Sequence, residues 1–135
     1  MNGYLMLEQD WVPGEDLFME SFSPENRNGV IFEDDGDAAY FYAVEKDEEG
    51  VGLRVLDALH IHEREEGEHE PRRSRLQLIW SRDWLKCALV IDGQCHALFD
   101  FEAQGGYNIN RWPPPNAIWT KGDRDLTDEI IKRLF

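Results

Sequence analysis

The chain has 135 residues, of which 41% are hydrophobic and 12% aromatic, a composition that suits one domain with a substantial core and excludes long disorder. Its 28 Asp and Glu against 14 Lys and Arg give a formal net charge of −14. A surface this acidic repels phosphate backbones and anionic lipids, which argues against nucleic-acid and membrane binding, and it attracts basic partners, although the same charge also serves solubility alone.

The N-terminal segment, residues 1–16, shows no clear periodicity and is interpreted as irregular. It lacks the basic region and the apolar stretch of a signal peptide, so the expected compartment is the cytoplasm. Cysteine thiols are expected to stay reduced in that compartment. The stretch from Leu17 to Phe22 is predicted to be a short strand.

A β-hairpin is predicted around Asp35-Gly36. Apolar runs from Val30 to Glu33 and from Ala38 to Val44 flank this pair, and Asp-Gly between such runs is the strongest short-range hairpin signal. A two-residue loop at this point pairs Phe32 with Ala39. One face of the hairpin then carries Val30, Phe32, Ala39 and Phe41, and the other carries Ile31, Tyr40 and Tyr42.

Residues Leu53 to His62 are predicted to form the next strand, because their apolar side chains recur at period two with Asp57 as an interruption. His60 and His62 stand two apart and are therefore expected on the same face, which suits two metal ligands, although no third ligand stands at a recognisable spacing. Two exposed strand histidines are the alternative reading. The 63–75 segment, dense in Glu and Arg, is interpreted as a charged, solvated loop.

Residues 76–101 are predicted to form three antiparallel strands with two-residue turns at Arg82-Asp83 and Asp92-Gly93. The side chains expected on one face are Leu76, Leu78, Trp80, Leu85, Cys87, Leu89, Ile91 and Leu98. The side chains expected on the other are Gln77, Ile79, Lys86, Ala88, Val90, Cys95, Ala97, Phe99 and Phe101. Since Cys87 and Cys95 fall on opposite faces, no disulfide between them is expected.

The chain is predicted to end in a short helix from about residue 124 to residue 135, capped by Asp123 or Asp125. Its apolar residues recur at helical spacing, and their face is the expected cover for the second side of the sheet. The predicted fold class is therefore α+β: a mainly antiparallel β meander in a curved sheet with a short C-terminal helix, in a single domain over residues 1–135.

The sequence offers little catalytic chemistry. No nucleophile constellation, phosphate loop or cofactor pattern stands out, so no cofactor is expected. Asp57 and Asp100 interrupt apolar strands, where a carboxylate is costly unless it is paired or hydrogen-bonded, and a structural hydrogen bond is expected for both. Trp112 and the three prolines after it suit either a proline-rich ligand for a partner's groove or a guard on the domain's own sheet edge.

Several spaced blocks resemble a small bacterial domain-of-unknown-function family. They are FEDDGD followed by AYFYA, then DALHI, then Trp80 to Ile91, then HALFDF, and they span roughly residues 28–119. The resemblance implies a bacterial source and carries no catalytic residues to transfer. If the blocks mark one shared surface, its polar and aromatic members are Asp34, Asp35, Asp57, His60, Asp100 and Trp112.

Two functions from different classes follow from these patterns. The first is a non-catalytic acidic binding protein of immunity or inhibitor type that neutralises a basic partner protein such as a toxin nuclease, with a DNA mimic as a variant of the same electrostatic logic. The alternative is a small-ligand or metal-binding protein, or an enzyme, with a pocket in the curved sheet near His60 and Asp100. A structural or regulatory module is a third reading, and an exposed sheet edge leaves a homodimer open.

Overall fold

The computed structural model describes residues 1–64 and 72–135, and these contain nine strands and one helix. The strands are β1 (Gly3–Trp11), β2 (Leu17–Phe22), β3 (Asn28–Asp34), β4 (Ala38–Lys46), β5 (Leu53–Glu63), β6 (Ser74–Ser81), β7 (Lys86–Ile91), β8 (Gln94–Asp100) and β9 (Gly105–Asn108), and the helix is α1 (Asp128–Leu134). Within this part of the chain, no helix has the length and apolar character that a membrane crossing requires.

The strands form two antiparallel sheets instead of one curved sheet. A five-stranded sheet has the order β1-β6-β7-β8-β9, and a four-stranded sheet has the order β2-β3-β4-β5. The α+β class and the antiparallel strands are confirmed. The prediction of a single sheet was wrong because β1 pairs with β6, although the four strands of the other sheet separate the two along the chain. Periodicity along a strand does not reveal a partner so distant in sequence.

The two sheets share one hydrophobic core. Phe32, Phe41 and Leu59 from the four-stranded sheet and Trp80 and Phe99 from the five-stranded sheet are fully buried in it. The rings of Phe41 and Phe99 meet across the interface with centroids 5.0 Å apart. Each such side chain contributes about 1.5–3 kcal/mol through its burial, so the packed inner faces are the main source of stability.

Residues Gly3–Trp11, expected to be irregular, form the edge strand β1. The pairing with β6 shifts register between Leu5 and Leu7, and several apolar side chains of this edge strand stay exposed. Because of both features, the apolar and polar residues of β1 do not alternate at period two, which is the pattern that predicts a strand. Arg75 of β6 fastens the strand through ion pairs with Glu8 at 2.6 Å and Asp10 at 2.8 Å.

The hairpin of β3 and β4 has the predicted faces but a register two residues different. Phe32 lies opposite Phe41, and the last pair before the turn is Asp34 with Ala39. The turn is longer because the Asp35 carboxylate accepts hydrogen bonds from the backbone N–H groups of both Asp37 and Ala38. A slip of two residues returns every side chain to the same side, so the prediction of the buried face holds.

The β6–β7 turn is also two residues longer than predicted, since Trp80 lies opposite Cys87 and Leu76 opposite Ile91. The β7–β8 pairing then contains a bulge: Val90 pairs with Cys95 but Leu89 pairs with Ala97, so His96 is an extra residue. From there on the predicted faces are exchanged. Ala97, Phe99 and Phe101 lie in the core, while Leu98 pairs with Ala88 on the outer face.

The C-terminal helix α1 is shorter than predicted. It begins at Asp128, and its cap is Thr127, whose hydroxyl oxygen accepts a hydrogen bond from the Ile130 N–H at 3.2 Å. The preceding residues run beside β9 instead: the Arg124 carbonyl accepts a hydrogen bond from the Asn108 N–H, and Asp125 forms a parallel bridge with Asn108. In the 63–75 segment, Glu63 belongs to β5 and residues 74–75 to β6, and the prediction of a loop over 65–71 lies outside the described residues.

Candidate functional site

The six predicted site residues do not gather in one place. Asp57, His60 and Trp112 lie where β5 approaches β9, linked through their neighbours. Asp34 lies on the inner side of the four-stranded sheet at the end of β3, against Trp11 of β1. Asp35 is at the β3–β4 turn and Asp100 is at the turn after β8. The blocks of sequence therefore do not mark a single surface.

Asp57 forms a buried ion pair with Arg124. Its two carboxylate oxygens accept hydrogen bonds from the guanidinium at 2.7 and 2.8 Å, and the Thr120 hydroxyl donates another at 2.6 Å. The remaining guanidinium groups donate to the carbonyls of Gly106 and Pro113. The expectation of a structural hydrogen bond for Asp57 is confirmed, whereas Arg124 and Thr120 were missed because nothing in the sequence identifies a partner 67 residues away.

A glycine makes this ion pair possible. A Cβ atom at Gly106 would stand 2.7 Å from an oxygen of Asp57 and 2.8 Å from the ring of Phe99. Because no side chain fits there, β9 can approach β5 closely enough for the pair to form. The pair joins β5 to the segment around Arg124, whose guanidinium also donates to the Gly106 carbonyl of β9. With its hydrogen bonds satisfied, it has the arrangement of a structural element.

Asn108 fastens the Trp112 segment to the edge of β5. Its side-chain nitrogen lies 2.8 Å from the carbonyl of His60, 2.9 Å from that of Trp112 and 2.9 Å from the side-chain oxygen of Asn110. The Trp112 carbonyl also accepts a hydrogen bond from the His60 N–H. The segment thus covers the edge of its own sheet, as the second of the two sequence readings proposed, while Trp112 as a residue is 55% exposed.

His60 and His62 lie on opposite faces of β5, so the same-face prediction was wrong. His62 pairs with Ala39 and His60 with Tyr40, which makes Ile61 an extra residue in a bulge. The ring of His62 packs against the buried Trp11, with centroids 5.9 Å apart. Within residues 1–64 and 72–135, no three His, Cys, Asp or Glu side chains gather where they could hold a metal ion.

The remaining predicted aspartates hold turns. One oxygen of Asp34 accepts hydrogen bonds from the Trp11 indole at 2.9 Å and the Gly14 N–H at 2.8 Å. Asp100 accepts two backbone N–H groups of the turn that follows it. The hydrogen bonds that Asp35 accepts from the backbone of its own turn hold the pKa of its carboxyl below the ordinary value. These carboxylates stabilise the backbone around them, and Asp100 does not line the surface cavity that Asp34 and Asp35 share.

A small cavity lies beside His60. Its volume is about 210 Å³, and His60, Ile61, His96, Ile109 and Asn110 line it. Burial lowers the pKa of His96, which favours a neutral ring. The side-chain nitrogen of Asn110 lies 2.8 Å from Nδ1 of His60, while the Asn110 oxygen accepts the Trp112 N–H. Because the Asn110 oxygen already accepts, its side-chain nitrogen is the group that donates toward Nδ1 of His60.

The outer side of the four-stranded sheet presents a different kind of surface, here named the aromatic face. Its members alternate along the strands with the buried Met19, Phe32 and Phe41, and they are half-buried or exposed. The aromatic face consists of Phe18, Glu20, Ile31, Glu33, Tyr40, Tyr42 and His60. One row across the strands joins Phe18, Glu33, Tyr40 and His60, and the next joins Glu20, Ile31 and Tyr42.

The rings of the aromatic face support one another. Tyr40 stacks on Tyr42 with centroids 6.1 Å apart and meets His60 edge to face at 5.2 Å. Partial burial, followed by the nearby charge of Glu33, raises the pKa of Tyr42, so its hydroxyl stays protonated and available as a donor at neutral pH. Phe18, at the edge, is 56% exposed. The face therefore combines accessible rings with two carboxylates.

Comparison with known proteins places the chain among bacterial proteins. Residues 11–135 match the model of a family described as an uncharacterized protein conserved in bacteria (DUF2251). A relative from Haemophilus influenzae, named as an uncharacterized protein, is 33% identical over 94 residues, which cover 68% of this chain and 57% of the relative. The aligned part is thus less than two thirds of the relative's length. No solved structure matches the chain.

Proposed function

We propose that this chain, which belongs to the DUF2251 family of bacterial proteins, is a non-catalytic acidic binding protein of immunity or inhibitor type that binds a basic protein through its aromatic face. The observation that carries the proposal is the composition of that face. Two glutamates and four rings share it, and its two cross-strand rows contain no Lys or Arg. The net charge of −14 supports the same partner.

The aromatic side chains supply the contact area of the proposed interface. Tyrosine is enriched in protein interfaces because its ring buries a large area at a low cost in side-chain entropy and its hydroxyl still forms a hydrogen bond. A guanidinium or ammonium group of the partner also binds favourably over an aromatic ring. Tyr40 and Tyr42, stacked side by side in the middle of the sheet, are the proposed anchors.

The two glutamates of the aromatic face determine the specificity for a basic partner. Glu20 and Glu33 are exposed, and each lies in a cross-strand row with one of the two tyrosines. Carboxylates beside an apolar anchor repel acidic competitors, and the molecule's overall negative charge accelerates encounter with a cationic protein. The chemistry of the proposed partner is therefore a cationic surface with Arg or Lys side chains that can reach the tyrosine rings.

The face is fixed before binding. Met19, Phe32 and Phe41 alternate with its members and are packed in the core, so the strands that carry the face cannot rearrange without disrupting that core. A preformed surface of this kind loses little conformational entropy on binding. The cavity near His60 is a weaker basis for function, because about 210 Å³ is below the range of roughly 300–1,000 Å³ that is usual for small-molecule sites.

The test uses two double variants with the same net charge. Glu20→Gln with Glu33→Gln neutralises the aromatic face, and Glu48→Gln with Glu49→Gln neutralises two exposed glutamates in the turn between β4 and β5. The wild-type chain and both variants are immobilised and used to capture proteins from a lysate of the bacterium that encodes the chain. Capture is performed at low and high salt, and bound proteins are identified by mass spectrometry.

The proposal predicts a basic protein that binds the wild type at low salt and binds less at high salt. The same protein remains bound to the Glu48→Gln, Glu49→Gln variant and is lost from the Glu20→Gln, Glu33→Gln variant. Equal loss from both variants would show that only diffuse charge attracts it. The proposal is also contradicted if no basic protein is captured, or if the wild type and both variants capture the same amount of it.

A further inference from the structure

We infer that the outer edge of β2 binds an extended basic segment of a partner protein as an additional antiparallel strand. β2 (Leu17–Phe22) stands at one end of the four-stranded sheet, and in the part of the chain that the structure describes only β3 pairs with it. Strand addition at an open sheet edge is a recurrent mode of peptide recognition. The inference rests on the proposed function for the charge of the partner, and it adds how the partner's backbone is held.

The hairpin of β2 and β3 shows which backbone groups lie on the open edge. The Ser23 N–H donates to the Asn28 carbonyl, and the pairing continues along β2 without a register shift. In an antiparallel ladder, alternate residues direct both of their backbone groups at the neighbouring strand. The residues in step with Ser23 therefore face β3, and the N–H and C=O groups of Phe18, Glu20 and Phe22 point away from the sheet. These are the donors and acceptors that a further strand requires.

The other three sheet edges have features that prevent such pairing. β1 is interrupted by a bulge. At β9, the 124–125 segment bonds to Asn108. β5 has two register shifts, and the Trp112 carbonyl accepts the His60 N–H. β2 has no bulge, proline or lysine, which are devices that protect exposed edges, so among the described residues it is the edge left open.

β2 is fixed in its extended form before a partner binds. Met19, in the middle of the strand, is 4% exposed and belongs to the core. The Trp80 indole N–H, from the other sheet, donates to the Ser21 hydroxyl oxygen at 3.0 Å. Because both contacts hold the inner side of β2, the addition of a strand to its edge requires little ordering of the protein itself.

The side chains at the open edge select a basic segment. Phe18 and Glu20 are exposed, and Glu33 lies in the same cross-strand row as Phe18. An arginine of the added strand opposite Glu20 forms a cross-strand ion pair, and one opposite Phe18 lies over its ring. The chain itself contains a contact of the second kind, since the Lys46 ammonium lies 4.3 Å from the centroid of the Phe22 ring.

A second copy of the chain fits this edge less well than a basic partner does. Antiparallel pairing of β2 with its own copy brings two Glu20 carboxylates close together on one face, where like charges are destabilising. Each copy also has a net charge of −14, which opposes the encounter. The open edge is continuous with the aromatic face through Phe18 and Glu20, so one basic protein contacts both.

The experiment uses the full chain labelled with nitrogen-15 and the synthetic peptide acetyl-Thr-Val-Thr-Arg-Thr-Arg-Thr-amide. NMR spectroscopy measures the backbone amide shifts and hydrogen-exchange rates of β2. In the free chain, the amides of Phe18, Glu20 and Phe22 are expected to exchange faster than those of Met19 and Ser21, because they lack a strand partner. Addition of the peptide is expected to shift the three edge amides in a saturable way and to slow their exchange. A peptide with glutamate in place of both arginines is expected to have no effect.

Two N-methylated peptides of equal charge separate backbone pairing from charge attraction. Opposite residues of an antiparallel pair share a face and a hydrogen-bonding state, so the arginines direct their own N–H groups at β2 and the threonines direct theirs away. Methylation of the two arginine amides is expected to weaken binding at least about fivefold, the effect of one lost hydrogen bond. Methylation of two threonine amides is expected to leave the affinity within about twofold.

Two substitutions at one position make the same comparison on the protein. Glu20→Gln and Glu20→Pro both remove the carboxylate, but only proline removes the N–H group on the open edge, a position at which an edge strand tolerates it. Glu20→Pro is expected to bind the unmodified peptide at least about fivefold more weakly than Glu20→Gln. The amide spectrum away from β2 confirms that both variants are folded.

Equal affinity of the two N-methylated peptides would overturn the inference, because binding would then depend on side chains alone. Equal affinity of Glu20→Pro and Glu20→Gln for the unmodified peptide would do the same. Either result leaves the proposed function standing, since capture of a basic protein through the aromatic face requires only the side chains of Glu20 and Glu33. Edge amides that become protected in the free chain as its concentration rises would also overturn the inference, because a second copy would then occupy the edge. If the lysate yields no basic protein, the proposed function fails while the peptide measurements still decide whether β2 accepts a strand.

Discussion

Arg124 keeps its charge inside the protein because Asp57, Thr120 and the carbonyls of Gly106 and Pro113 satisfy the group and its partner. Removing one member of such a pair leaves the other charge buried without compensation, which typically costs about 3–5 kcal/mol. Arg124→Met is therefore expected to lower the free energy of unfolding by an amount in this range. Urea denaturation measures the loss.

The control for Arg124→Met is Arg75→Met, which removes two ion pairs on the exposed edge strand β1. Water solvates those partners after the substitution, so the free energy of unfolding is expected to change little. If the two variants lose the same stability, the Arg124 pair is not the anchor that its burial indicates. A double variant, Asp57→Asn with Arg124→Met, is expected to recover part of the loss, because it removes the stranded carboxylate.

Gly106 and Gly122 offer a comparison of a crowded and an open glycine. An added Cβ at Gly106 would collide with Asp57 and Phe99, and one at Gly122 would have no atom within 4 Å. Gly106→Ala is expected to destabilise the fold by about 1–3 kcal/mol through overpacking. Gly122→Ala is expected to be neutral or slightly stabilising, because alanine restricts the unfolded chain. Thermal unfolding compares the stabilities of the two variants. Equal midpoints would contradict the close approach of β9 to β5.

The stability of the fold is expected to fall in acid because of Asp83. Partial burial pushes the pKa of its carboxyl upward, but hydrogen bonds from Ser81 and Lys86 outweigh this and bring the pKa down to about 2. Since the folded pKa lies below the ordinary value of 3.8, the charged carboxylate stabilises the fold above about pH 4, and this contribution is lost as the pH falls from about 4 to about 2.

Asp83→Asn should therefore lower stability at pH 7 and have progressively less effect between pH 4 and pH 2. Urea unfolding of the wild type and the variant, measured across this window, isolates the contribution from that of the other acids, which both proteins share. A stability difference that stays constant from pH 7 to pH 2 would contradict the assigned role of the Asp83 carboxylate.

For single residues, the sequence shows which side chains require a hydrogen-bond partner more reliably than it shows which residue the partner is. A carboxylate inside an apolar strand requires a donor, and this correctly predicts that Asp57 is hydrogen-bonded. The identity of the donor depends on a chain path in which Arg124 returns to β9, which no local pattern encodes. The same limit explains why Asp34 was predicted as a surface residue, although it accepts the Trp11 indole N–H in a buried position.

Single-residue bulges determine which side chains the strands expose. Ile61 in β5 and His96 in β8 are each extra residues, and each reverses the orientation of everything beyond it. Alternation of apolar residues cannot locate such an insertion when both faces of the strand are partly apolar, as in β7 and β8. This is why His60 and His62 were assigned to one face and Phe99 to the wrong one.

The cap of α1 controls how firmly the helix is held against the five-stranded sheet. Thr127→Ala removes the side-chain acceptor for the Ile130 N–H, a change that costs about 1 kcal/mol of helix stability. The helix has only seven residues, so it is expected to fray. Cys95 and Ile131 line one cavity between α1 and the five-stranded sheet, so faster alkylation of Cys95 is the expected result.

The control is Thr127→Ser, which keeps the hydroxyl and is expected to preserve the alkylation rate of Cys95. Both rates are measured at pH 9 with iodoacetamide. If Thr127→Ala and Thr127→Ser react at the wild-type rate, the helix does not limit access to the thiol, and the description of α1 as one wall of the cavity beside Cys95 is incorrect.

The whole molecule is two sheets around one core, with different outer surfaces. The five-stranded sheet is partly covered by α1, and the four-stranded sheet exposes the aromatic face. Most strands could be predicted from apolar runs and Asp-Gly turns, because those signals are local. The division into two sheets could not, since it rests on the long-range pairing of β1 with β6.

Only the structure shows where on the surface particular acidic side chains lie. From sequence, a net charge of −14 distinguishes neither a binding surface from solubility nor one side of the protein from another. The cross-strand rows place two glutamates among accessible rings on one sheet. This placement, more than the charge itself, is the reason to propose a specific basic partner.

The most direct measurement is the dissociation constant of the captured basic protein for the wild type and the two charge-matched variants, by calorimetry at low and high salt. Binding through the aromatic face predicts that Glu20→Gln with Glu33→Gln weakens the affinity about tenfold or more, whereas Glu48→Gln with Glu49→Gln changes it by less than about threefold. Equal weakening in the two variants would contradict binding through the aromatic face and leave the negative charge as a general property of the surface.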